Sequence, residues 1–287
     1  MQTRKIGNGT VGTVGVSAIG LGEMQLSLAD RPDRVRALRT VRAALDAGIT
    51  LVDTADAYCA DASDFGHGEE LLAEALEDRP DVLVATKGGH TRDARGGWDL
   101  DGSPDHLRRA CEASRQRLGV DAIGLYQHHR PDPKVPYEDT MGALKDLYDA
   151  GKIRMAGISN ANPGQIRTAR EVLGPALVSV QNQFAPNFRS SEPEIAVCEE
   201  LGLAFLPWSP LGGAGNTDHV GGLAEFSAVA GAHGVTPQQV ALAWMLAKSP
   251  AVIPIPGSSR PETITASAAA ADLRLSADEV ARLDATA

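Results

Sequence analysis

Short apolar runs alternate with longer amphipathic stretches along the whole chain. The apolar runs predict eight β-strands, at residues 18–21, 49–53, 82–87, 123–128, 153–159, 177–181, 203–208 and 252–256. The stretches that follow them predict helices at residues 33–47, 69–76, 104–118, 137–150, 163–173, 191–201, 237–247 and 261–270. In the first of these, Val35, Leu38, Val41 and Leu45 recur at intervals of three and four, the spacing of one helix face. Prolines near helix starts and glycines after helix ends support the boundaries.

Eight alternations of strand and helix without a break in composition favour an α/β fold of the (β/α)8 barrel type. We expect one domain that spans residues 1–287. The alternative is a doubly wound sheet, which usually carries a glycine-rich phosphate-binding turn after its first strand. The segment from Gly20 to Gln25 is too short a match for that turn. The glycine-rich start, from Gly7 to Gly15, predicts an N-terminal β-hairpin that plugs the barrel floor.

Three long loops, at residues 59–68, 88–103 and 212–222, each follow a predicted strand. In a parallel barrel the carboxyl ends of the strands share one face, and active sites are built there. Loops of this length are often functional. We therefore expect all three loops to overhang the functional face.

The composition narrows the class of protein. Hydrophobic residues make up 43% of the 287 residues, enough for a sizeable core, and the formal net charge is -10. An acidic surface argues against nonspecific binding of nucleic acid or of anionic membranes. The three cysteines are far apart, which favours a reducing cytoplasm over a disulfide framework or a cysteine metal site. The start has no signal-peptide pattern, and no apolar run is long enough to span a membrane.

An acid, a phenol, an ammonium and an imidazole stand at the ends of consecutive predicted strands: Asp53, Tyr58, Lys87 and His129. A free tyrosine has a pKa of about 10, too high for ready proton donation at neutral pH. A neighbouring Lys87 is expected to lower the pKa of Tyr58, and Asp53 to keep Lys87 charged and aimed. His129 is expected to orient a substrate oxygen. Each residue alone has a structural explanation, but their order at strand ends predicts a site for carbonyl reduction.

Two adjacent histidines compete for one role on the fourth strand. Side chains alternate faces along a strand. If Lys87 points into the barrel with Leu83 and Ala85, the equivalent set on the fourth strand is Ile123, Leu125, Gln127 and His129. His128 then faces the surrounding helices and is interpreted as a packing residue. Cys59, beside Tyr58, is interpreted as a small buried side chain.

These motifs closely resemble the aldo-keto reductase superfamily, from about Gly7 to Leu283. Asp53 and Tyr58 match its D-x-A-x-x-Y segment, Lys87 its T-K strand ending, and His129 its histidine before Arg and Pro. The resemblance implies a nicotinamide-dependent oxidoreductase. It implies reduction of a small aldehyde or ketone, with Tyr58 as the general acid and Asp53, Lys87 and His129 completing the catalytic set. No metal is implied.

The resemblance also implies a cofactor site, with NADPH preferred and NADH an alternative. The residues it assigns to the cofactor are Gly22, Met24, Ser159, Asn160, Gln181, Trp208, Ser209, Pro210, Leu211, Gly213, Gly257, Ser258, Ser259, Arg260 and Thr263. Arg260, beside a helix start, suits a ribose 2′-phosphate. Plain capping of that helix by Ser259 is the alternative. Where the family has Glu-Asn against adenine, this chain has Ala266 and Ser267.

The substrate pocket is expected to be partly apolar and lined by Met24, Phe65, Trp98 and Phe184. The substrate itself and the oligomeric state do not follow from the sequence. A second hypothesis for the function is a non-catalytic nicotinamide-binding subunit, because the same fold serves as a regulatory module of potassium channels. A sugar- or phosphate-processing barrel would instead need paired carboxylates or a metal cluster at strand ends, and we find neither.

Overall fold

The structure, a computed structural model, describes residues 1–213 and 217–286. Its strands are β1 (Thr3–Asn8), β2 (Gly12–Ser17), β3 (Leu21–Gly22), β4 (Leu51–Asp53), β5 (Leu83–Gly88), β6 (His90–Arg92), β7 (Trp98–Leu100), β8 (Leu125–His128), β9 (Ala156–Ser159), β10 (Leu177–Gln181) and β11 (Ala204–Phe205). Its helices are α1 (Arg34–Asp46), α2 (His67–Ala75), α3 (Pro104–Leu118), α4 (Tyr137–Asp149), α5 (Pro163–Leu173), α6 (Glu192–Leu201), α7 (Thr217–Gly222), α8 (Ala224–His233), α9 (Pro237–Lys248), α10 (Pro261–Ala269) and α11 (Ala277–Asp284).

Seven parallel strands form the curved sheet of a (β/α)8 barrel, in the order β11-β10-β9-β8-β5-β4-β3. Residues 252–257 close it as the eighth strand. On one side Ile253 N donates to Phe205 O, and on the other Gly20 N donates to Pro254 O. Pro254 and Pro256 have no N–H to donate. On this side the hydrogen bonds are therefore donated by Gly20 N and Gly22 N, to Pro254 O and Pro256 O. The barrel prediction is confirmed, although this eighth strand is reduced to isolated bridges.

The barrel interior is a compact apolar cluster. Leu51, Leu83, Ala85, Leu125 and other strand residues fill it, and side chains of alternate parity pack under the helices. The predicted N-terminal hairpin is present, as β1 paired antiparallel with β2. Its Ile6 and Val16 belong to the same interior cluster, so the hairpin closes the floor opposite the strand ends.

The helices begin and end where local chemistry favours it. Asn162 and Gln165 form a reciprocal capping box at the start of α5, and Thr236 and Gln239 form another at α9. Gly119 ends α3 in the left-handed conformation, which satisfies the last carbonyl groups of the helix.

Several elements differ from the sequence-based predictions. The predicted strand at 203–208 is shortened to β11, and the one at 18–21 is shortened and shifted to β3. Inside the predicted loop 88–103, β6 and β7 form a small antiparallel hairpin. Helices α8 and α11 lie in segments for which we predicted none, and α7 occupies part of the predicted loop 212–222. Residues 214–216 of that loop lie outside the described residues.

None of the helices in the described ranges has both the length and the apolarity needed to cross a membrane.

Candidate active site

A cavity of about 340 Å3 opens at the carboxyl ends of the barrel strands. Of the four residues predicted to act on substrate, Asp53, Tyr58 and His129 line it directly. Lys87 lies beneath them and is wholly buried. The structure therefore brings the four predicted side chains together.

The ammonium group of Lys87 connects the cluster. Its Nζ donates to Asp53 Oδ1 at 2.6 Å, to the main-chain oxygen of Thr54 at 2.8 Å and to Tyr58 Oη at 3.1 Å. Burial alone lowers the pKa of Lys87, but the Asp53 carboxylate and the Tyr58 oxygen outweigh it, so the pKa is raised. Lys87 is therefore a permanent cation under the phenol.

Two amides from neighbouring strands hold the other oxygen of Asp53. Gln127 Nε2 donates to Oδ2 at 3.0 Å and Gln181 Nε2 at 2.8 Å. A buried carboxylate with three donors is fixed in position and is satisfied without water. The sequence placed Gln127 inside the barrel but did not assign it this role.

Tyr58 is held by the turn that follows β4. Asp56 N donates to Lys87 O, and Gly66 N donates to Asp56 O, which ties both ends of the turn to fixed points. Burial raises the pKa of the Tyr58 phenol, and the nearby Lys87 lowers it by less. The expected net lowering of the Tyr58 pKa is therefore wrong for the protein alone, because the loops bury the phenol. At neutral pH Tyr58 keeps its proton.

His129 lies beside the phenol, with ring centroids 5.5 Å apart. Its backbone N–H donates to Gly88 O, which keeps the end of β8 against β5. Burial lowers the pKa of His129 well below its usual value, and the Lys87 charge adds to this, so the ring is neutral. Its Nδ1 is buried without a partner. The tautomer with hydrogen on Nε2 avoids a buried unpartnered N–H, so Nε2 is the donor.

The alternation argument holds along β8 itself. Leu125 packs in the barrel interior, and Gln127 reaches Asp53. His128 lies on the other face, where its ring centroid is 6.2 Å from that of Tyr137 on α4. Ile123, which the alternation also placed inside, instead packs under the helices. It precedes β8 and pairs only through one bridge to Ile153, so the strand alternation does not extend to it.

His128 gives a prediction about stability. Both of its ring nitrogens are buried without partners, and burial lowers its pKa to about 3. Below about pH 6.5 the His128 ring binds a proton in the unfolded chain but not in the native protein. The free energy of unfolding therefore falls as the pH drops from about 6.5 toward 3. His128→Leu should remove up to about 1.4 kcal/mol of this loss per pH unit. Urea unfolding at pH 7.5 and pH 5.0 measures it, and an equal gain at both pH values would contradict the assignment.

The opposite wall of the cavity carries polar groups from β9 and β10. Ser159 Oγ donates to Gln181 O at 2.7 Å, and Asn160 Nδ2 donates to Ser159 Oγ and to His129 O, each at 3.0 Å. These bonds use the amide hydrogens of Asn160, and Asp53 uses one from Gln181. The carbonyl oxygens of both side chains remain as acceptors at the cavity. Asn160 has a φ of 58°, a left-handed conformation that is uncommon outside glycine.

The segment after β11 forms the next part of the wall. Five of its residues line the cavity: Trp208, Ser209, Pro210, Leu211 and Gly213. Ser209 has a φ of 50°, the only other positive φ of a non-glycine residue in the described ranges. Backbone strain of this kind often marks a binding site. Trp208 presents a broad ring to the cavity, and its Nε1 is buried without a partner.

Gly257 lines the cavity, and α10 begins shortly after it in the chain, at Pro261. Its N-cap residue is Arg260, and no side chain caps its first turn. The Ser259 cap considered from the sequence is therefore absent. Ser258 Oγ instead donates to Arg260 O and accepts from Arg260 N, which fixes the turn. The residues that line the cavity do not include Ser258, Ser259, Arg260 or Thr263.

Two of the four residues predicted to line the substrate pocket lie elsewhere. Phe184 is wholly buried on the helix side of the sheet, stacked on Trp244 of α9 with centroids 5.5 Å apart. The same alternation that places Gln181 inside the barrel places Phe184 outside it. Phe65 packs under Arg117 of α3. Met24 and Trp98 do line the cavity, as predicted.

Six further residues at the cavity were not among the predicted site residues: Glu23, Gln25, His90, Arg130, Ile255 and Pro256. Glu23 is buried and accepts from Thr54 Oγ1 at 2.8 Å, and burial raises its pKa to about 8. Position 90 lies in the loop expected to overhang this face, which was the available signal. The described residues contain no group of side chains suited to holding a metal ion.

The barrel and the buried cluster at its strand ends place the protein among oxidoreductases built on this fold. A model described as the Aldo/keto reductase family matches residues 18–287, and the chain belongs to that family. It is 35% identical over 292 residues to an uncharacterized oxidoreductase of Schizosaccharomyces pombe, covering 99% of this chain and 91% of that protein.

Solved structures show the same similarity. A thermostable aldo-keto reductase in complex with the inhibitor epalrestat has a TM-score of 0.84 and 26% identity, covering 100% of both chains. An aldo/keto reductase from Klebsiella pneumoniae in complex with NADP and acetate has a TM-score of 0.78 and 28% identity, covering 94% of this chain and 91% of that one.

Proposed function

We propose that the protein reduces a small aldehyde or ketone to an alcohol with NADPH. The observation that carries the proposal is the contact between Tyr58 Oη and Lys87 Nζ, 3.1 Å apart at the floor of an open cavity. Reduction adds a hydride to the carbonyl carbon and a proton to the oxygen. The nicotinamide, when bound, supplies the hydride. The protein's own residues supply the proton and stabilise the charge on oxygen.

Tyr58 has the protonation state that a general acid needs. Its raised pKa keeps the phenol protonated at neutral pH. As the proton leaves, charge develops on Oη, and Lys87 stabilises that charge at short range. The neutral His129 donates from Nε2 to the carbonyl oxygen and orients it. Asp53 acts through Lys87 and does not touch the substrate.

The cavity wall suits a nicotinamide dinucleotide. A carboxamide NH2 group needs acceptors, and the side-chain oxygens of Asn160 and Gln181 are the ones not committed to other bonds. The ring face of Trp208 suits stacking. The uncapped first turn of α10 leaves backbone N–H groups for a phosphate. These features support cofactor roles for the wall, from Gly22 and Met24 round to Gly257, and for Arg260 just beyond it in the chain.

Arg260→Ala tests the choice of cofactor. Arg260 is exposed at the start of α10, where a ribose 2′-phosphate would meet both its guanidinium and the helix N–H groups. We expect the variant to lose about 1.5–3 kcal/mol of NADPH affinity and little NADH affinity. Titration of both cofactors by quenching of tryptophan fluorescence measures it. Equal losses for the two cofactors would remove Arg260 from the phosphate site.

A turnover assay tests the reaction. Benzaldehyde and NADPH are mixed with the protein, and the fall in NADPH absorbance is followed. Steady consumption with one alcohol formed per NADPH supports the proposal. Tight NADPH binding with no turnover across a panel of aldehydes and ketones would instead support the non-catalytic regulatory subunit.

We further propose that residues 1–287 act as one domain in the cytoplasm, where the free, buried Cys59, Cys111 and Cys198 stay reduced.

A further inference from the structure

His90 is held over the cavity by the small hairpin that follows β5. The chain turns at Gly89, which has a φ of 110°, and His90 then begins β6. Pairing of Thr91 with Asp99 fixes the hairpin, and Arg92 Nη2 donates to Ala60 O at 3.0 Å, which ties it to the loop after β4. The imidazole is therefore positioned by backbone pairing on a rigid support.

Four rings meet edge-to-face in a closed cycle at the mouth of the cavity. The centroid distances are 5.5 Å for Tyr58 and His129, 4.3 Å for His129 and His90, 5.3 Å for His90 and Trp98, and 6.5 Å for Trp98 and Tyr58. All four side chains line the cavity. A carbonyl oxygen bound by Tyr58 and His129 would therefore bring groups one or two carbons from the carbonyl next to His90 and Trp98.

Hydrogen bonding fixes which nitrogen of His90 carries the hydrogen. Nδ1 lies 3.1 Å from the main-chain oxygen of Asp99. A carbonyl oxygen can only accept, so Nδ1 carries the hydrogen and donates. Burial lowers the pKa of His90, so the ring is neutral at pH 7, and Nε2 has a free lone pair. No donor from the described residues contacts this Nε2, which is accessible from the cavity.

We propose that His90 is a specificity-determining residue that selects carbonyl substrates with a hydroxyl group one or two carbons from the reacting carbon. His90 Nε2 accepts a hydrogen bond from that hydroxyl. Trp98, with the Arg92 guanidinium 3.9 Å from its ring centroid, offers a flat face to the C–H groups of the same substrate. The inference rests on the proposed carbonyl reduction and adds a class of substrate to it.

Three ketones of similar size test the hydrogen bond. Hydroxyacetone carries the hydroxyl, 2-butanone carries a methyl group in its place, and methoxyacetone keeps the oxygen without its hydrogen. Methoxyacetone matters because it shares the electron withdrawal that makes hydroxyacetone reactive. An acceptor at Nε2 favours only hydroxyacetone, by about 3- to 10-fold in kcat/KM over methoxyacetone. Equal kcat/KM for these two ketones in the wild-type protein would overturn the proposal.

His90→Leu should bring the ratio of hydroxyacetone to methoxyacetone close to 1, while kcat/KM for 2-butanone falls by less than about threefold. Thr91→Val is the matched control, since the neighbouring side chain on β6 points to the other face of the hairpin. It should leave the ratio unchanged. An unchanged ratio in His90→Leu would also overturn the proposal. If His90→Leu does not fold, His90→Gln, which keeps an acceptor, should retain part of the preference.

The outcomes separate this inference from the proposed function. If wild-type protein consumes NADPH with benzaldehyde but does not distinguish hydroxyacetone from methoxyacetone, only the role of His90 fails. If it reduces neither benzaldehyde nor any of the ketones, the proposed reaction itself fails.

Discussion

Replacing Tyr58 by phenylalanine should lower the turnover number with benzaldehyde by about 10²–10⁴. The ring stays in place, so its edge contacts with His129 and Trp98 are kept. What is lost is the proton at Oη and the bond that Lys87 donates to it. Burial keeps that proton on the phenol at neutral pH, so wild-type Tyr58 is already in the donating form.

The measurement is kcat from NADPH absorbance, together with the dissociation constant of NADPH from fluorescence. Cofactor affinity should change by no more than a few-fold, because the ring of Tyr58 stays in place and only its hydroxyl is removed. Tyr137→Phe is the matched control, since it too removes a buried tyrosine hydroxyl, but one on α4 that has no hydrogen-bond partner and lies outside the cavity. A Tyr58→Phe variant that keeps more than roughly a tenth of wild-type kcat would show that another group supplies the proton.

Much of this site follows from the sequence because parallel strands deliver their ends to one face. Asp53 and Lys87 stand at or beside strand ends, and the barrel brings them within 2.6 Å. The alternation of side chains also predicted correctly that His129 faces the cavity and that His128 faces the surrounding helices. Such inferences need only the order of the strands and their parity.

Other features depend on tertiary contacts that no local pattern contains. The direction of the Tyr58 pKa depends on how completely the loops cover the phenol, which the sequence does not show. The three-residue strands β6 and β7 are too short to give a periodic signal, and contacts such as Arg92 with Ala60 O hold them on the barrel. Phe184 was expected to line a partly apolar pocket. The parity already used for His129 would have placed it under the helices.

The Asp53–Lys87 pair joins stability to function. Both side chains are almost fully buried, at 2% and 0% exposure. Removing one partner of such a pair leaves an unpaired buried charge, which typically costs about 3–5 kcal/mol. Removing both avoids that cost. The pair is therefore expected to couple strongly, and its function can be separated from its effect on folding.

Lys87→Met should lower the free energy of unfolding by about 3–5 kcal/mol, because the buried Asp53 then loses its cationic partner and keeps only the Gln127 and Gln181 amides. The double variant Asp53→Asn/Lys87→Met should be more stable than Lys87→Met alone, because an asparagine oxygen can accept both amides without a charge. Lys145→Met is the matched control: it removes an exposed ion pair with Asp149 and should cost less than about 1 kcal/mol.

Urea unfolding gives the stabilities, and benzaldehyde turnover gives the activity. Both Lys87 variants should stay nearly inactive, since neither supplies a cation under Tyr58, so restored stability without restored turnover is the expected result. Asp53→Asn alone completes the comparison: if its loss and that of Lys87→Met simply add in the double variant, the two side chains are not coupled. If the double variant recovers turnover, the Lys87 charge is not required for proton transfer from Tyr58.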